Sequence, residues 1–339
     1  MMFVLVLSLS AVYAKLPQKV IICGVCRDVE RFVPRSIGYM RKIASHFEDA
    51  RFIIYENNSK DSTRKIIKRW NRKDARVNFI YEDVPQEKLD LLIKNRVDGK
   101  HFVAEKIARA RNIVLDVAMS DEYANYEYII WMDMDFFREP SYEGIVEVFE
   151  SDQEWDAVFA YGIDPPGTFW DWYAYRDADN FLGSEHLGMY WWRKPKTLKM
   201  TTNDPWKPVL SGFGGCGIYR KSSIGGCRYS GLVTNDLARY TKLMIDKYPN
   251  HPEVQRYHRA VSRMSDIKTL KSPNQAQLSN IRDPRKGFVL ESDPHKVVWV
   301  MSSFAYRYPS VCEHVAFHAS MIVNGHDKLF INPRMVFRY

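Results

Sequence analysis

Apolar and polar positions follow two different periods along the first 160 residues. Continuous apolar runs bounded by polar residues predict buried strands, and they occur in "KVIICGVCRD", "ARFIIYENN", "ARVNFIYEDV" and "YEYIIWMDMDFF". The stretches between them, "FVPRSIGYMRKIASHF", "DSTRKIIKRW" and "HFVAEKIARARNIVLDVAMS", predict helices with one buried face. Strands that alternate with helices predict an α/β fold, namely a doubly wound, mostly parallel sheet with helices on both faces.

The second half of the chain has fewer regular periods. Residues 236–290 predict helix followed by irregular structure. The end predicts a strand in "KVVWVMSS", a helix ended by glycine in "CEHVAFHASMIVNG", and a final strand in "KLFINPRMVF". No linker separates the two halves, which predicts a single domain over residues 15–339.

Composition and charge narrow the partners. At 339 residues and 46% apolar content, the chain can bury a substantial core. Its net charge of +8 favours anionic ligands such as nucleotide diphosphates, acidic glycans or membrane surfaces. The basic residues form no zinc-finger, RNP-like or basic-zipper pattern, so we expect no nucleic-acid partner.

The first fourteen residues, "MMFVLVLSLSAVYA", have no charged side chain. The stretch is shorter than a bilayer span, so it predicts a signal-like segment or short anchor rather than a membrane-spanning helix. We therefore expect targeting to the secretory pathway (the ER or Golgi lumen), with the cytoplasm as the alternative. The same segment predicts weak membrane association.

The chain has five cysteines, an odd number that cannot form a complete disulfide framework. Cys23 and Cys26 form a C-x-x-C, but this pair ends an apolar strand, whereas a redox pair would open a helix. The pattern predicts buried thiols.

Asp133 and Asp135 stand at the end of the apolar run "YIIWMDMDFF". Alternate strand residues share a face, so both carboxylates are expected at the carboxyl edge of the sheet, where open α/β sheets bind ligands. Two carboxylates there suit Mg²⁺ or Mn²⁺, with water and substrate phosphates as further ligands. An aspartate that caps the next helix is the structural alternative.

Four motifs follow one another in an order that resembles a known family. They are "YENNSKDST" after the second strand, "ARARN" on the helix before the aspartates, "MDMD", and "CEH" opening a late helix followed by "NG" and "INP". Together they resemble the GT-A-type glycosyltransferases, particularly the large family-2 group. The acid-rich loop is also similar, more weakly, to that of the fungal capsule-associated mannosyltransferases.

The resemblance implies a GT-A-like sheet and a metal-dependent transfer of a sugar from a nucleotide-diphosphate sugar. The acceptor would be a glycan or a glycolipid, and inversion of the anomeric carbon is favoured over retention. It also implies a nucleotide-binding half over residues 15–160 and an acceptor-binding half over residues 161–339. Tryptophans of the second half could stack on sugar faces, although aromatic residues more often fill a core.

The resemblance assigns roles on the donor side of the site. Asp135 would bind the metal, with Asp133 supporting it or touching the ribose. Glu56 and Asp61, in the "ENNSKDST" loop, would face the nucleotide, although Asp61 is equally suited to cap a helix. "ARARN" contributes Arg109, Arg111 and Asn112, of which the arginines match phosphate geometry.

The resemblance also assigns the chemistry of the late helix. Glu313 would be the general base that deprotonates the acceptor hydroxyl, and His314 stands where the family commonly has an aspartate. Relatives commonly have a histidine as the last metal ligand beyond the final strand. This chain has none there, so His318, His326 or water would take that role.

Three other functions fit the sequence less well. A nucleotidyltransferase shares the sheet and the metal, but it would have a glycine-rich basic loop after the first strand, where this chain has "CGVCRDVERF". A phosphatase would have its aspartates on the first strand. A glycan-binding protein without activity would not need the nucleotide-side loop together with "ARARN" and the aspartates.

Overall fold

The computed structural model describes residues 15–338 except 86, 88–102, 139, 189, 192–196, 274–284 and 301–310. The first half alternates strands and helices as the apolar runs predict. Its elements are β1 (Leu16–Cys26), α1 (Val33–Ala44), β2 (Phe47–Asn57), α2 (Thr63–Lys73), β3 (Val77–Glu82), α3 (Val103–Ala118) and β4 (Tyr128–Met132). A turn of 3₁₀ helix, Asp121–Tyr123, precedes β4.

The second half adds strands to the same sheet. Its elements are α4 (Glu143–Glu150), β5 (Ala157–Ile163), α5 (Ser184–Leu187), β6 (Lys207–Val209), β7 (Cys216–Arg220), α6 (Asn235–Lys247), α7 (Pro252–Ser262), β8 (Asp266–Leu270), β9 (Lys286–Leu290), β10 (Trp299–Val300), α8 (Glu313–Val323) and β11 (Leu329–Arg338). A second turn of 3₁₀ helix, Lys221–Ser223, follows β7.

The main sheet has the strand order β3-β2-β1-β4-β7-β5-β11-β6. Strands β3, β2, β1 and β4 are parallel neighbours. Strand β7 enters antiparallel between β4 and β5, and β6 pairs antiparallel with β11 at the edge. The predicted doubly wound, mostly parallel α/β sheet is confirmed.

Two apolar cores cover the two faces of this sheet. On one face, α1, α2 and α4 pack through side chains such as Met40, Ile67 and Val148. On the other face, α3 and α8 contribute Val114 and Phe317 to the larger core. Residues on one strand alternate between the two cores, as expected for a sheet with helices on both faces.

The prediction of irregular structure up to residue 290 is wrong in part. Strands β8, β9 and β10 form a separate three-stranded sheet, with β8 and β9 parallel. Strand β8, "DIKTL", is mostly exposed, so its sequence lacks the apolar run of a buried strand. Residues 301–303 of the predicted strand "KVVWVMSS" lie outside the described residues.

The late elements and the thiols agree with the sequence. Helix α8 ends at Val323, and Gly325 takes a positive φ of 89° just beyond it, as a glycine-ended helix requires. All five cysteines are buried and none forms a disulfide. Among the described residues, no helix combines the length and apolar character of a membrane span.

Candidate functional site

A cleft of about 490 Å³ opens at the carboxyl edge of the parallel strands. Strand β1 contributes Val25 and Cys26, and β2 contributes Tyr55 and Asn57. Ligands of open α/β sheets bind at this edge because the strands end there and their loops diverge. Helix α3 and the residues after β4 close the other sides. Their lining residues are Lys106, Ile107, Arg109, Ala110, Arg111, Asp133, Met134 and Asp135.

Asp133 and Asp135 both line this cleft, directly after β4 ends at Met132. The Asp133 N–H donates to the Gly215 carbonyl over 2.9 Å, so the residues after β7 hold the aspartate turn. Asp135 is open to the solvent of the cleft but surrounded by its walls. The cleft walls withdraw the Asp135 carboxylate from bulk water. This desolvation, together with the like charge of Asp133, raises the pKa of Asp135 to about 6.

Arg111 lies between two acids at the base of the cleft. Its Nη2 is 3.4 Å from Asp133 Oδ1, and its Nε is 3.5 Å from Glu313 Oε1. The side chain is 3% exposed, and its guanidinium carbon lies 4.6 Å from the centre of the Phe213 ring. A buried guanidinium with these neighbours neutralises part of the acidic charge around it.

Arg109 lies nearer the cleft opening, beside β2 and β3. Its Nη1 donates to the Tyr55 hydroxyl over 2.9 Å, and its Nη2 lies 2.5 Å from Glu82. The Tyr55 hydroxyl also donates to Glu82. These contacts hold the guanidinium against the wall of the cleft.

Asp171 is a further acid at this site, and it belongs to none of the motifs that predicted site residues. It stands in the aromatic run "TFWDWYAY" and accepts a 2.8 Å hydrogen bond from the Gly214 N–H. Burial raises its pKa to about 6, and Asp133 adds like-charge repulsion while Arg111 opposes the shift. An acid within an aromatic loop was the only signal for this residue.

A glycine-rich turn holds both aspartates. Gly214 and Gly215 have positive φ angles of 58° and 96°, which side chains with a Cβ rarely adopt. Gly214 binds Asp171 through its N–H, and Gly215 binds Asp133 through its carbonyl. The sequence "SGFGG" therefore positions two acids that are 38 residues apart.

Glu313 and His314 open α8 beside Arg111. Glu313 is 6% exposed, and burial raises the pKa of its carboxyl. His314 Nε2 lies 3.6 Å from Glu313, and the imidazole stacks on Phe213 with ring centres 4.0 Å apart. Burial and the nearby Arg111 charge hold the pKa of His314 well below its usual range, so the ring is neutral.

Glu56 and Asp61 make their contacts within the protein. Glu56 accepts the Ser59 N–H through one carboxylate oxygen and pairs with Arg64 through the other. Asp61 accepts the N–H groups of Glu30 and Thr63, each over 2.9 Å. Neither side chain lines the cleft, because Glu56 holds the β2–α2 loop and Asp61 joins that loop to the β1–α1 loop.

Asn112 does not line the cleft either. Its side-chain amide donates to the Tyr229 carbonyl over 2.9 Å and accepts the Tyr229 N–H over 3.0 Å. Asn112 follows Arg111 on the helix, but its side chain holds the backbone of Tyr229. The Tyr229 ring in turn contacts the rings of Trp131 and Phe317.

The histidines predicted as metal ligands lie elsewhere. His318 is fully buried, with Nδ1 and Nε2 each 2.9 Å from the hydroxyls of Ser211 and Tyr219. His326 precedes β11 at the amino edge of the sheet and lies 3.3 Å from Asp156. Neither histidine lines the cleft, since both nitrogens of His318 are engaged and His326 lies at the opposite edge of the sheet from the aspartates.

No group of three or more His, Cys, Asp or Glu side chains is arranged to hold a metal ion in the part of the chain that the structure describes. Asp133 and Asp135 line the cleft as a pair of carboxylates.

The tryptophans of the second half divide by exposure. Trp170 is 55% exposed and Trp191 is 4% exposed. Trp172 and Trp206 are partly buried against the two cores, and Trp192 lies outside the described residues. Among the tryptophans of the second half that the structure describes, Trp170 is the most exposed to solvent.

No family model matches the chain, and no curated protein matches it. Solved structures that align with it include TarS of S. aureus, at 10% identity and a TM-score of 0.36, over 62% of this chain and 30% of that one. Mannosyltransferase PcManGT from Pyrobaculum calidifontis, in complex with GDP-Man and Mn²⁺, aligns at 13% identity and a TM-score of 0.35, over 62% and 46%.

Glucosyl-3-phosphoglycerate synthase from Mycobacterium tuberculosis, in complex with UDP, aligns at 10% identity and a TM-score of 0.35, over 68% of each chain. The chain spans less than half the length of the first two structures. Similarity at this level does not assign an activity to this chain.

Proposed function

We propose that the chain is a metal-dependent glycosyltransferase that uses a nucleotide-diphosphate sugar and transfers it to a glycan or glycolipid. The observation that carries the proposal is one cleft, at the carboxyl edge of a parallel sheet, that contains both basic side chains and a carboxylate pair. The order of the sequence motifs supports it independently.

The walls of the cleft suit the parts of a nucleotide diphosphate. Arg27, Lys106 and Arg109 line it and would bind phosphate oxygens. Val25 and Ile107 offer apolar surface for a base, with Asn57 at the polar margin. The volume of about 490 Å³ lies within the range of small-molecule sites.

Asp133 and Asp135 fit a divalent ion such as Mn²⁺ or Mg²⁺. Desolvation and, secondly, the like charge of Asp133 raise the pKa of Asp135, and a cation in the cleft would relieve the repulsion between the two carboxylates. Water and substrate phosphates would supply the other oxygen ligands. A bound ion would stabilise the negative charge of the departing diphosphate.

Two acids beside the cleft are candidates for the general base that inversion requires. Glu313 keeps the role that the family resemblance implies, and Asp171 is the second candidate on position and pKa. The base would take the proton of the acceptor hydroxyl as its oxygen attacks the anomeric carbon. Arg111 would position Glu313 and Asp133 relative to each other.

The first experiment measures thermal unfolding with a panel of nucleotide diphosphates and nucleotide sugars, with and without Mn²⁺. A ligand at one hundred times its dissociation constant stabilises the folded state by about 2.7 kcal/mol. We expect one nucleotide to raise the unfolding temperature only with Mn²⁺, and Asp135→Ala to abolish that shift. Asp116→Ala, which removes an exposed carboxylate of α3, is the matched control.

The partner found in this way is then tested for reaction. Release of the nucleotide diphosphate from its sugar, faster with an acceptor glycan, would support the transferase. Release of pyrophosphate from a nucleoside triphosphate and a sugar phosphate would instead identify a nucleotidyltransferase. If no nucleotide shifts the unfolding temperature of the wild-type chain, the proposed donor site is wrong.

A further inference from the structure

The net positive charge of the chain is concentrated on two neighbouring helices. Helices α1 and α2 together contain nine Lys and Arg residues and no Asp or Glu. The whole chain has a net charge of +8, so all of it outside these two helices has a formal charge of −1. The two helices lie side by side on one face of the sheet, with the cleft at its carboxyl edge.

Five of these cations are exposed and have no carboxylate within 4 Å among the described residues. They are Arg41, Lys65, Arg69, Arg72 and Lys73, which we call the cationic face. Some exposed cations on other surfaces are paired, as Arg228 is with Asp116, Arg239 with Asp236 and Lys328 with Glu154. Unpaired like charges repel one another, so the cationic face destabilises the isolated fold unless an anion covers it.

Helix stability explains only part of this arrangement. Cations in the last turn of a helix interact favourably with the helix dipole, and Arg41, Arg72 and Lys73 are in or next to such positions. Lys65 lies in the first turn of α2, where the dipole disfavours a cation. Its position needs another explanation.

A groove of about 570 Å³ separates the two helices within this face. Pro34, Ile37 and Ile66 contribute apolar surface to it. Arg41, Arg69 and Lys73 also line it, as does Asp74, which is paired with Arg76. An apolar groove bordered by cations matches a ligand with a hydrocarbon part and an anionic head. A soluble polyanion would use the cations and leave the groove exposed.

We propose that α1 and α2 form a docking surface for an anionic phospholipid membrane. The cationic face binds the headgroup phosphates, and the apolar groove between the helices receives acyl or interfacial lipid atoms. Lys and Arg suit this position because their apolar stems lie along the surface while their charged ends reach the headgroups. The cleft stays accessible at the carboxyl edge. This proposal does not depend on the activity of the cleft.

The test is flotation of the full chain with vesicles of phosphatidylcholine alone or mixed with phosphatidylserine. The test variant is Arg41→Gln/Lys65→Gln/Arg69→Gln/Arg72→Gln. Each cation near an anionic surface strengthens binding about fivefold, so we expect the four substitutions to weaken binding about a hundredfold or more. Binding of the wild type to the mixed vesicles should also fall steeply between low and high salt.

A matched control removes four paired cations from other surfaces. It is Arg228→Gln/Arg239→Gln/Lys242→Gln/Lys328→Gln, which has the same net charge as the test variant. Binding should survive in the control, and thermal unfolding of both variants confirms that they fold. Equal loss in both variants, or equal binding to the two kinds of vesicle, would overturn the proposal. Binding to dextran sulfate but not to the mixed vesicles would also overturn it, because the face would then serve a soluble polyanion.

Discussion

Arg111 is the side chain on which the charge balance beneath the cleft depends. It is the cation placed between Asp133 and Glu313, and all three side chains are largely withdrawn from water. Removing one partner of a buried ion pair costs more than the pair contributes, because an uncompensated charge stays behind. Residue-scale electrostatics therefore sets both the stability of this site and the state of its acids.

We expect Arg111→Met to lower the free energy of unfolding by about 3 kcal/mol at pH 7.5. The loss should shrink at pH 5, where the acids left behind can take up protons. Urea unfolding at the two pH values measures both effects. Arg228→Met, which removes an exposed cation paired with Asp116, should cost under about 1 kcal/mol. Similar losses in the two variants would show that Arg111 is not an essential counter-ion.

Asp171→Asn should stabilise the protein at pH 7.5. The pKa of Asp171 is raised from 3.8 to about 6 in the folded state, so the folded state binds this proton more tightly than the unfolded state. Its ionisation then costs stability as the pH rises from about 4 to 6, by about 3 kcal/mol at most. Asparagine keeps the oxygen that accepts the Gly214 N–H and cannot ionise. Urea unfolding should show a gain at pH 7.5 that disappears near pH 4, and a gain independent of pH would contradict this account.

The glycine turn before β7 is the element that connects the two aspartates. A Cβ on Gly214 would lie 2.2 Å from the Ala160 carbonyl oxygen, and its φ of 58° is unfavourable for other residues. We expect Gly214→Ala to lower the free energy of unfolding by about 2–4 kcal/mol. Metal-dependent nucleotide binding should weaken too, because the turn holds Asp133 and Asp171.

Gly225→Ala is the matched control for that element. A Cβ at Gly225 would meet no atom within 4 Å. Its unfolding free energy and nucleotide binding should stay within about 0.5 kcal/mol of the wild type. If Gly214→Ala behaves in the same way, the turn is not what positions the acids.

At the scale of the whole molecule, the thiols report the integrity of both cores. All five cysteines are buried, and burial raises the pKa of Cys23, Cys26 and Cys216. We expect a thiol reagent to leave Cys23, Cys216, Cys227 and Cys312 unlabelled in the native protein and to label all five cysteines in denaturant. Reductant should leave the unfolding midpoint unchanged, since no disulfide joins them. A midpoint that falls with reductant would contradict the structure.

Local sequence patterns determined the elements of the first half of the chain and the position of some residues that line the cleft. Apolar runs and helical periods predicted β1 to β4 with their helices, because a strand or helix buries its apolar side chains at its own period. The position of Asp133 and Asp135 at a strand end followed from the same pattern. Arg109 and Arg111 also line the cleft, since the helix that contains them covers the same sheet edge.

Only the tertiary structure decided which polar groups face the cleft and which are used by the protein itself. Asp171 lies at the site because the Gly214 N–H binds its carboxylate. His318 is not available there because Ser211 and Tyr219 engage both nitrogens of its ring. Periodicity places a residue on a face but does not name its partners, which come from strands and loops far away in the chain. The antiparallel entry of β7 beside β4 is of the same kind, because strand order depends on long-range pairing rather than on local sequence.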